Sequence, residues 1–499
     1  MEAQVIDKKE LQDKTMRGIG WSSAAKFFRQ FIQLAFQILL ARLLDPSDFG
    51  LLGMILVFSS LTDILKNLGL GQALVHKKDL EPELLNAVFW VNILVGILLL
   101  GIFQLAAPWI AAFYKAPALE NITRVYSLIF LIGSFNVVQD ALLQKQLQFK
   151  RLFVAEAVAV LSGGFLALWL AWNGYGVWTL VWQYLVITLV STLVIWFTSS
   201  WVPSFRFSLK PIGSLQQFGK NLLAHDLLSF VSRNIDNLLI GKFLGAASLG
   251  FYSRAYFLML QPINLTNQVL ARVMFPVFAK LQDQPEQIRL AYLKSTRLVS
   301  FLVFPAITFV FVMSDPLVRL LLGDKWAETG YLLKIFCVYS LVDTIGVTTG
   351  WIYKAIGRTD VMFKWAIYST TIIVSSILIG LKWGVEGVAI SYTVAFIVLL
   401  WLPGWYVCYR LIGLKLTDML KNLAPVFFIS LLAGAGMYGV HHYLPVDIPH
   451  WLSCLIVGAT GAVFYYFLAV QWEKASLQFV LTQIRKVINR PTKKKGKHA

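Results

Sequence analysis

The first long apolar stretch of the chain carries residues that apolar stretches rarely hold: Ser22, Lys26, Arg29, Gln30, Gln33 and Gln37. At helical spacing Lys26, Gln30, Gln33 and Gln37 share one stripe, with Ser22 above it and Arg29 beside it. No Asp or Glu lies within two turns of Lys26 or Arg29. Two uncompensated cations in such a place call for an anion from elsewhere. Phosphate or pyrophosphate suits them best, because a guanidinium binds its oxygens bidentately and an ammonium adds a point charge. The glutamine amides would hydrogen-bond a hydroxyl-rich molecule attached to that anion.

A second polar group lies around residues 220–237, with Lys220, His225, Asp226, Arg233, Asn234, Asp236 and Asn237. Smaller ones are Asp63, Lys66 and Asn67; Asn136, Gln139 and Asp140; Arg254, Gln261 and Asn264; and Asp343. One such charge at the centre of a spanning helix costs about 2.5–3.5 kcal/mol, so several must face water, one another or a polar substrate. Arg233 and Asp236 are spaced i, i+3 and can neutralise each other, as can Asp63 and Lys66. Lys220 and Lys66 stand near helix ends, where a lysine snorkels to the interface.

The elements that carry these groups are membrane spans. Of the 499 residues 58% are hydrophobic and 14% charged, whereas a soluble domain carries about 25% charged residues. The apolar residues come in blocks near the ~20 residues that cross a bilayer. Coarse spans fall at 20–44, 49–70, 86–112, 122–143, 153–172, 176–198 and 217–241, then at 247–272, 291–313, 328–353, 362–382, 386–409, 421–441 and 450–471. Unbroken apolar runs such as Ile93–Phe103 exclude the alternation of a membrane barrel. No cleavable signal sequence is read at the N-terminus, which lacks an apolar h-region before the first long span. Loops counted alternately hold about 29 basic residues on one side and about 6 on the other, which places both termini in the cytoplasm. The net charge of +18 is therefore a topology signal and no sign of nucleic-acid binding. Cys337, Cys408 and Cys454 lie far apart in apolar blocks, which excludes a disulfide framework and a CxxC site. After Trp472, Leu477, Val480, Leu481, Ile484, Val487 and Ile488 keep helical spacing before Lys493, Lys494, Lys495 and Lys497. That pattern predicts an interfacial helix with a polybasic end on anionic membrane lipid.

An internal repeat organises the spans. Leu39–Leu52 (LLARLLDPSDFGLL) aligns with Leu239–Tyr252 (LIGKFLGAASLGFY) at an offset of 200 residues, matching Arg42 to Lys242, Leu44 to Leu244 and Gly50 to Gly250. Six spans separate the copies, so both halves share one orientation, and sites in such parallel repeats lie between the halves near the midplane. The expected fold is an all-α polytopic membrane protein of about fourteen transmembrane helices. It comprises two pseudo-symmetric six-helix bundles around a central cavity and two C-terminal helices. The corresponding boundaries are 1–200 and 201–415 for the bundles, 416–472 for the extra helices and 473–499 for the amphipathic, polybasic cytoplasmic tail.

Three stretches carry a family resemblance: Ser232–Gly241 (SRNIDNLLIG), Leu244–Tyr256 (LGAASLGFYSRAY) and Arg272–Pro276 (RVMFP), supported by Ala41–Gly50 and Ala355–Asp360. They resemble the polysaccharide transporter (Wzx-type flippase) branch of the multidrug/oligosaccharidyl-lipid/polysaccharide exporter superfamily. The resemblance covers almost the whole chain. It implies a protein of the bacterial inner membrane that moves undecaprenyl-pyrophosphate-linked oligosaccharide across it by alternating access, its cationic cavity holding the pyrophosphate. Within the matching motifs Arg233 and Arg254 are the candidate head-group ligands, and Lys26 and Arg29 join them on the charge argument. Gln30, Gln33, Gln37, Lys220 and Asn237 are expected to line the cavity. Asp226 and Asp236 are candidates for coupling to a proton or sodium gradient or for tuning the head-group cations. No cofactor or metal is expected. The implied partners are the lipid-linked oligosaccharide, membrane lipids, and the polysaccharide polymerase and glycosyltransferases of the same pathway.

Three rivals predict other features. A lipid II-type flippase of the same superfamily would share the spans and the cationic cavity. A cation-coupled drug exporter would favour an acidic, aromatic pocket, and the first span has no carboxylate. A membrane-bound polymerase or ligase would carry large outside loops with catalytic residues. The longest outside loop, near Ser314–Thr329, holds no His or Cys, and no P-loop, HExxH or carboxylate dyad occurs in the chain.

Overall fold

The computed structural model describes residues 28–67, 71, 74–75, 77, 80–204, 216–281, 284–445 and 447–488. Within them, side chains are described except at 61–67, 216–229, 231–233, 265, 267–277, 279–280, 347, 354–355, 359 and 483–488. Lys26 and the side chains of Lys220, Asp226 and Arg233 lie outside the described residues.

The described elements are helices. In chain order they are α1 (28–43), α2 (Pro46–Asn67), α3 (Pro82–Tyr114), α4 (Ala118–Tyr126), α5 (Leu128–Ser134), α6 (Val137–Lys145), α7 (Phe149–Trp172), α8 (Val177–Thr198) and α9 (Gln216–Lys280). There follow α10 (Pro285–Val312), α11 (Ser314–Leu321), α12 (Ala327–Ile356), α13 (Thr359–Gly380), α14 (Gly384–Ala395), α15 (Leu402–Tyr409), α16 (Leu416–Tyr443), α17 (His450–Trp472) and α18 (Lys474–Ile488). Among the described residues eight helical stretches are long and apolar enough to cross a membrane, or nine if α4–α5 and α6, bent by 43°, form one span. Between 28% and 53% of each apolar window is buried inside the protein. About half or more of each window thus faces outward, which only a lipid surround makes favourable. Leu94, Ile97, Leu98, Ile102 and Leu105, all exposed along α3, form one such outward face.

Two expectations need correction. The span read as continuous over 122–143 is broken between α5 and α6, where Phe135 and Asn136 interrupt the helix. The segment read as a long outside loop from Ser314 to Thr329 is ordered into α11 and a short 3-10 turn at Asp324–Trp326. Leu317 and Leu320 pack there against a core built around Met313, Ala433, Met437 and Val457, so apolar burial organises what a polar reading leaves as loop.

The chain packs as two compact units, Met1–Ser253 with Leu321–Lys325, and Arg254–Leu320 with Trp326–Ala499. The first extends past residue 200 to Ser253. It takes in the later repeat copy because α2 and the part of α9 after Gly245 pack backbone against backbone. A Cβ on Gly50 would sit 1.7 Å from the Ala246 carbonyl oxygen, and one on Gly250 would sit 2.0 Å from that of Pro46. Small residues let membrane helices approach this closely. The contact is reciprocal: each repeat copy offers its glycine to the helix start of the other, as self-complementary two-fold interfaces do. The cations of the repeat obey the same exchange. Arg42 Nε donates to the Leu321 carbonyl at 3.2 Å, and Lys242 Nζ donates to the Phe113 carbonyl while lying 4.4 Å from the centre of the Phe113 ring. Both acceptors lie at helix ends, and each is followed two residues later by a positive φ, at Gly323 (97°) and Lys115 (54°). Lys325 Nζ meets Asp45 Oδ1 at 2.7 Å beside the crossing.

The second unit centres on aromatic packing. Trp405, Tyr409, Tyr292, Phe304 and Met419 are buried together, and the Tyr292 hydroxyl bonds Thr348 Oγ1 at 2.8 Å. The amphipathic α18 lies against this unit through Leu477 and Val480.

Candidate functional site

Two aromatic contacts fix α1 against α7. Phe28 meets Phe153 edge-on at 5.5 Å, and two turns later Phe36 meets Phe165 at 5.6 Å. The Phe36 ring fits because residue 164 is glycine: a Cβ there would come within 2.3 Å of the ring. Between these anchors α1 faces a polar cavity of about 280 Å³ in the first unit.

Arg29, Gln33 and Gln37 line the cavity from α1, spaced at i, i+4 and i+8. Asn136 contributes from the break before α6, Glu156 from α7, and Gln183, Tyr184, Thr188 and Ser191 from α8. The α1 residues that line this cavity are therefore 29, 33 and 37. Gln30, half-buried on the same helix, is not one of the cavity's lining residues.

Glu156 is the residue that the sequence reading missed. Its Oε1 lies 3.3 Å from Arg29 Nη1, from a position 127 residues away in the chain. Both side chains are about half exposed, at 54% and 41%, so the pair resembles a surface ion pair worth about 0–1 kcal/mol. Its signal in the sequence was a lone carboxylate in the apolar run FVAEAVAVL. Among the described residues, Asn136 Oδ1 and Gln183 Oε1 are buried in the cavity wall with no hydrogen-bond partner. Buried polar atoms of this kind cost about 1–3 kcal/mol each unless something satisfies them. A guanidinium, a carboxylate, several amides and hydroxyls thus line one small space, together with Phe36, Ala159, Val160 and Ile187.

The other predicted residues have their own surroundings. Asp236 in α9 accepts a hydrogen bond from the Tyr252 hydroxyl at 3.1 Å and one from the Asn237 backbone N–H at 2.8 Å. Tyr252 itself is buried. Asn237 is half-buried, and the neighbouring Asn234 accepts from Ser60 Oγ at 3.4 Å. Arg254 belongs to the second unit, its guanidinium 5.4 Å from the centre of the Phe257 ring.

The fold is that of a multi-pass membrane protein. A family described as "Polysaccharide biosynthesis protein" matches residues 39–330, more than half of the chain, and the chain belongs to that family. It is 28% identical to the lipopolysaccharide biosynthesis protein WzxC of Escherichia coli K12, over 84% of this chain and 86% of that one. It is 28% identical to the teichuronic acid biosynthesis protein TuaB of Bacillus subtilis 168, over 91% of this chain and 95% of that one. Among solved structures, the lipid II flippase MurJ in an inward closed conformation superposes with a TM-score of 0.74. The match covers 91% of this chain and 99% of MurJ at 16% identity, a likeness of fold alone. The resemblance to polysaccharide biosynthesis proteins read from the motifs agrees with the family match.

Proposed function

We propose that the protein is a flippase that carries an undecaprenyl-pyrophosphate-linked oligosaccharide across the bacterial inner membrane by alternating access, both of its termini lying in the cytoplasm. The observation that carries this reading is the cavity of Arg29, Gln33, Gln37 and Glu156 inside an otherwise apolar bundle, in a chain of the polysaccharide biosynthesis family. Its volume of about 280 Å³ lies at the lower edge of small-ligand pockets, about 300–1,000 Å³, and suits a head group rather than a whole oligosaccharide. Arg29 takes the pyrophosphate by exchanging Glu156 for the stronger anion, and the amides hold the first sugar. Lys26 and Arg233 complete the head-group set, Arg254 is a further candidate head-group ligand, Lys220 and Asn237 extend the polar lining, and Asp226 and Asp236 couple transport to a proton or sodium gradient. The glycosyltransferases that build the lipid-linked unit and the polymerase that consumes it act before and after this step.

The test is glycan export in cells whose own gene is deleted and replaced by variants. Arg29→Ala, Lys26→Ala and Arg233→Ala should each lower export at least tenfold while membrane insertion is unchanged, and the lipid-linked intermediate should accumulate on the cytoplasmic side. Normal export by all three variants and by their combination would refute the head-group assignment.

A further inference from the structure

A second cavity, of about 530 Å³, lies in the second unit, where the end of α17 and the start of α18 pack beside α10. Its floor is an ion pair. Arg297 Nε donates to Glu473 Oε2 at 3.1 Å, Arg297 Nη2 donates to Glu473 Oε1, and Ser476 Oγ donates to Glu473 Oε2 at 3.0 Å. The Glu473 side chain is 1% exposed, so its carboxylate is committed to these donors and Arg297 offsets its charge. Two cations remain at the mouth, Lys294 from α10 and Lys474 from α18. Both are exposed, and neither is ion-paired among the described residues. Leu298, Trp472 and Phe479 give the cavity apolar walls, and both aromatics stay about half exposed.

Two surplus positive charges over an apolar slot, at the end of a membrane-crossing helix, complement one chemistry: an anionic head group joined to a hydrocarbon chain. Trp472 at the helix end marks the membrane–water boundary, where tryptophan rings favour the head-group level. Arg289, Lys415 and Lys421 belong to the basic excess counted along the neighbouring loops, Arg289 being paired with Glu286 at 3.1 Å. We infer that this cavity holds one anionic phospholipid, its phosphodiester between Lys294 and Lys474 and an acyl chain along Leu298, Trp472 and Phe479. The lipid would tie α18 to the bundle without itself being cargo.

The full-length protein, delipidated in mild detergent and titrated with phosphatidylglycerol or phosphatidylcholine, tests this by native mass spectrometry. One phosphatidylglycerol should be retained per chain, and phosphatidylcholine should not. At about 1 kcal/mol for each surface lysine, Lys294→Ala with Lys474→Ala should weaken retention about 30-fold. Leu298→Trp, which narrows the slot and leaves the lysines in place, should weaken it as well while the melting temperature stays near wild type. Equal retention of the two lipids, or unchanged retention in both variants, would overturn the proposal. Displacement of phosphatidylglycerol by equimolar undecaprenyl phosphate would also overturn it, by assigning the cavity to a prenyl carrier.

Discussion

Gly50→Ala puts one methyl group where the structure leaves no room. The new Cβ would stand 1.7 Å from the Ala246 carbonyl oxygen, against a normal contact of roughly 3.2 Å, so the helices must part by about 1.5 Å. The obstacle is backbone, which has no rotamer to move into, so the overpacking cost sits at the upper end of the usual range, about 3 kcal/mol. Alanine recovers about 1 kcal/mol of helix propensity over glycine. The net expectation is a loss of about 2 kcal/mol. Gly250→Ala, facing the Pro46 carbonyl at 2.0 Å, should cost about the same. Because the contacts are reciprocal, one substitution opens the gap the other needs. The double variant should therefore fall short of the sum of the single losses by about 1 kcal/mol or more. Gly101→Ala is the control. No atom lies within 4 Å of its added methyl, so only the propensity gain remains. The assay is denaturant unfolding of the purified protein in detergent, followed by circular dichroism and run as a double-mutant cycle. A Gly50→Ala protein within 0.5 kcal/mol of wild type, or additive single effects, would refute the reciprocal crossing.

Arg297→Ala should destabilise the protein by about 3 kcal/mol, because it leaves the Glu473 carboxylate buried without its cation, while Glu473→Gln should cost about 1 kcal/mol. Melting temperature and protease sensitivity of the tail measure both, and equal small effects would argue against a buried pair. Asp236→Asn should abolish the response of transport to an imposed proton or sodium gradient in membrane vesicles, with Tyr252→Phe giving a partial loss. A wild-type rate indifferent to both gradients would remove the coupling role.

The helices were legible because an apolar run in lipid has few other ways to satisfy its amides. The repeat was legible through Arg42 and Lys242, Gly50 and Gly250, and the structure adds that the matched segments touch each other. The break between α5 and α6 was not legible, since Ile132 to Val138 is mostly apolar and two non-helical residues leave little trace in hydropathy. On α1, Gln33 and Gln37 were placed on the polar stripe, but the choice between Arg29 and Gln30 as its next member depends on where α7 lies, which spacing within one helix cannot fix. Glu156 was missed for the same reason: an ion pair across 127 residues is a tertiary fact, and the residue alone is one carboxylate among 26 acidic side chains.

The exchanged caps at Arg42 and Lys242 bear on how such a chain can diverge. Each cation binds a main-chain carbonyl, which every residue supplies, so the hydrogen bond itself asks for one side chain only, although at Phe113 the ring adds a cation–π contact to Lys242. Leucine stands at one acceptor and phenylalanine at the other, and both serve. Glycines facing backbone oxygens impose the same one-sided demand. A joint built in this way can lose most of its residue identities without paired substitutions. Methods that infer contacts from residues changing together would find little signal at this joint, although its helices lie in direct contact.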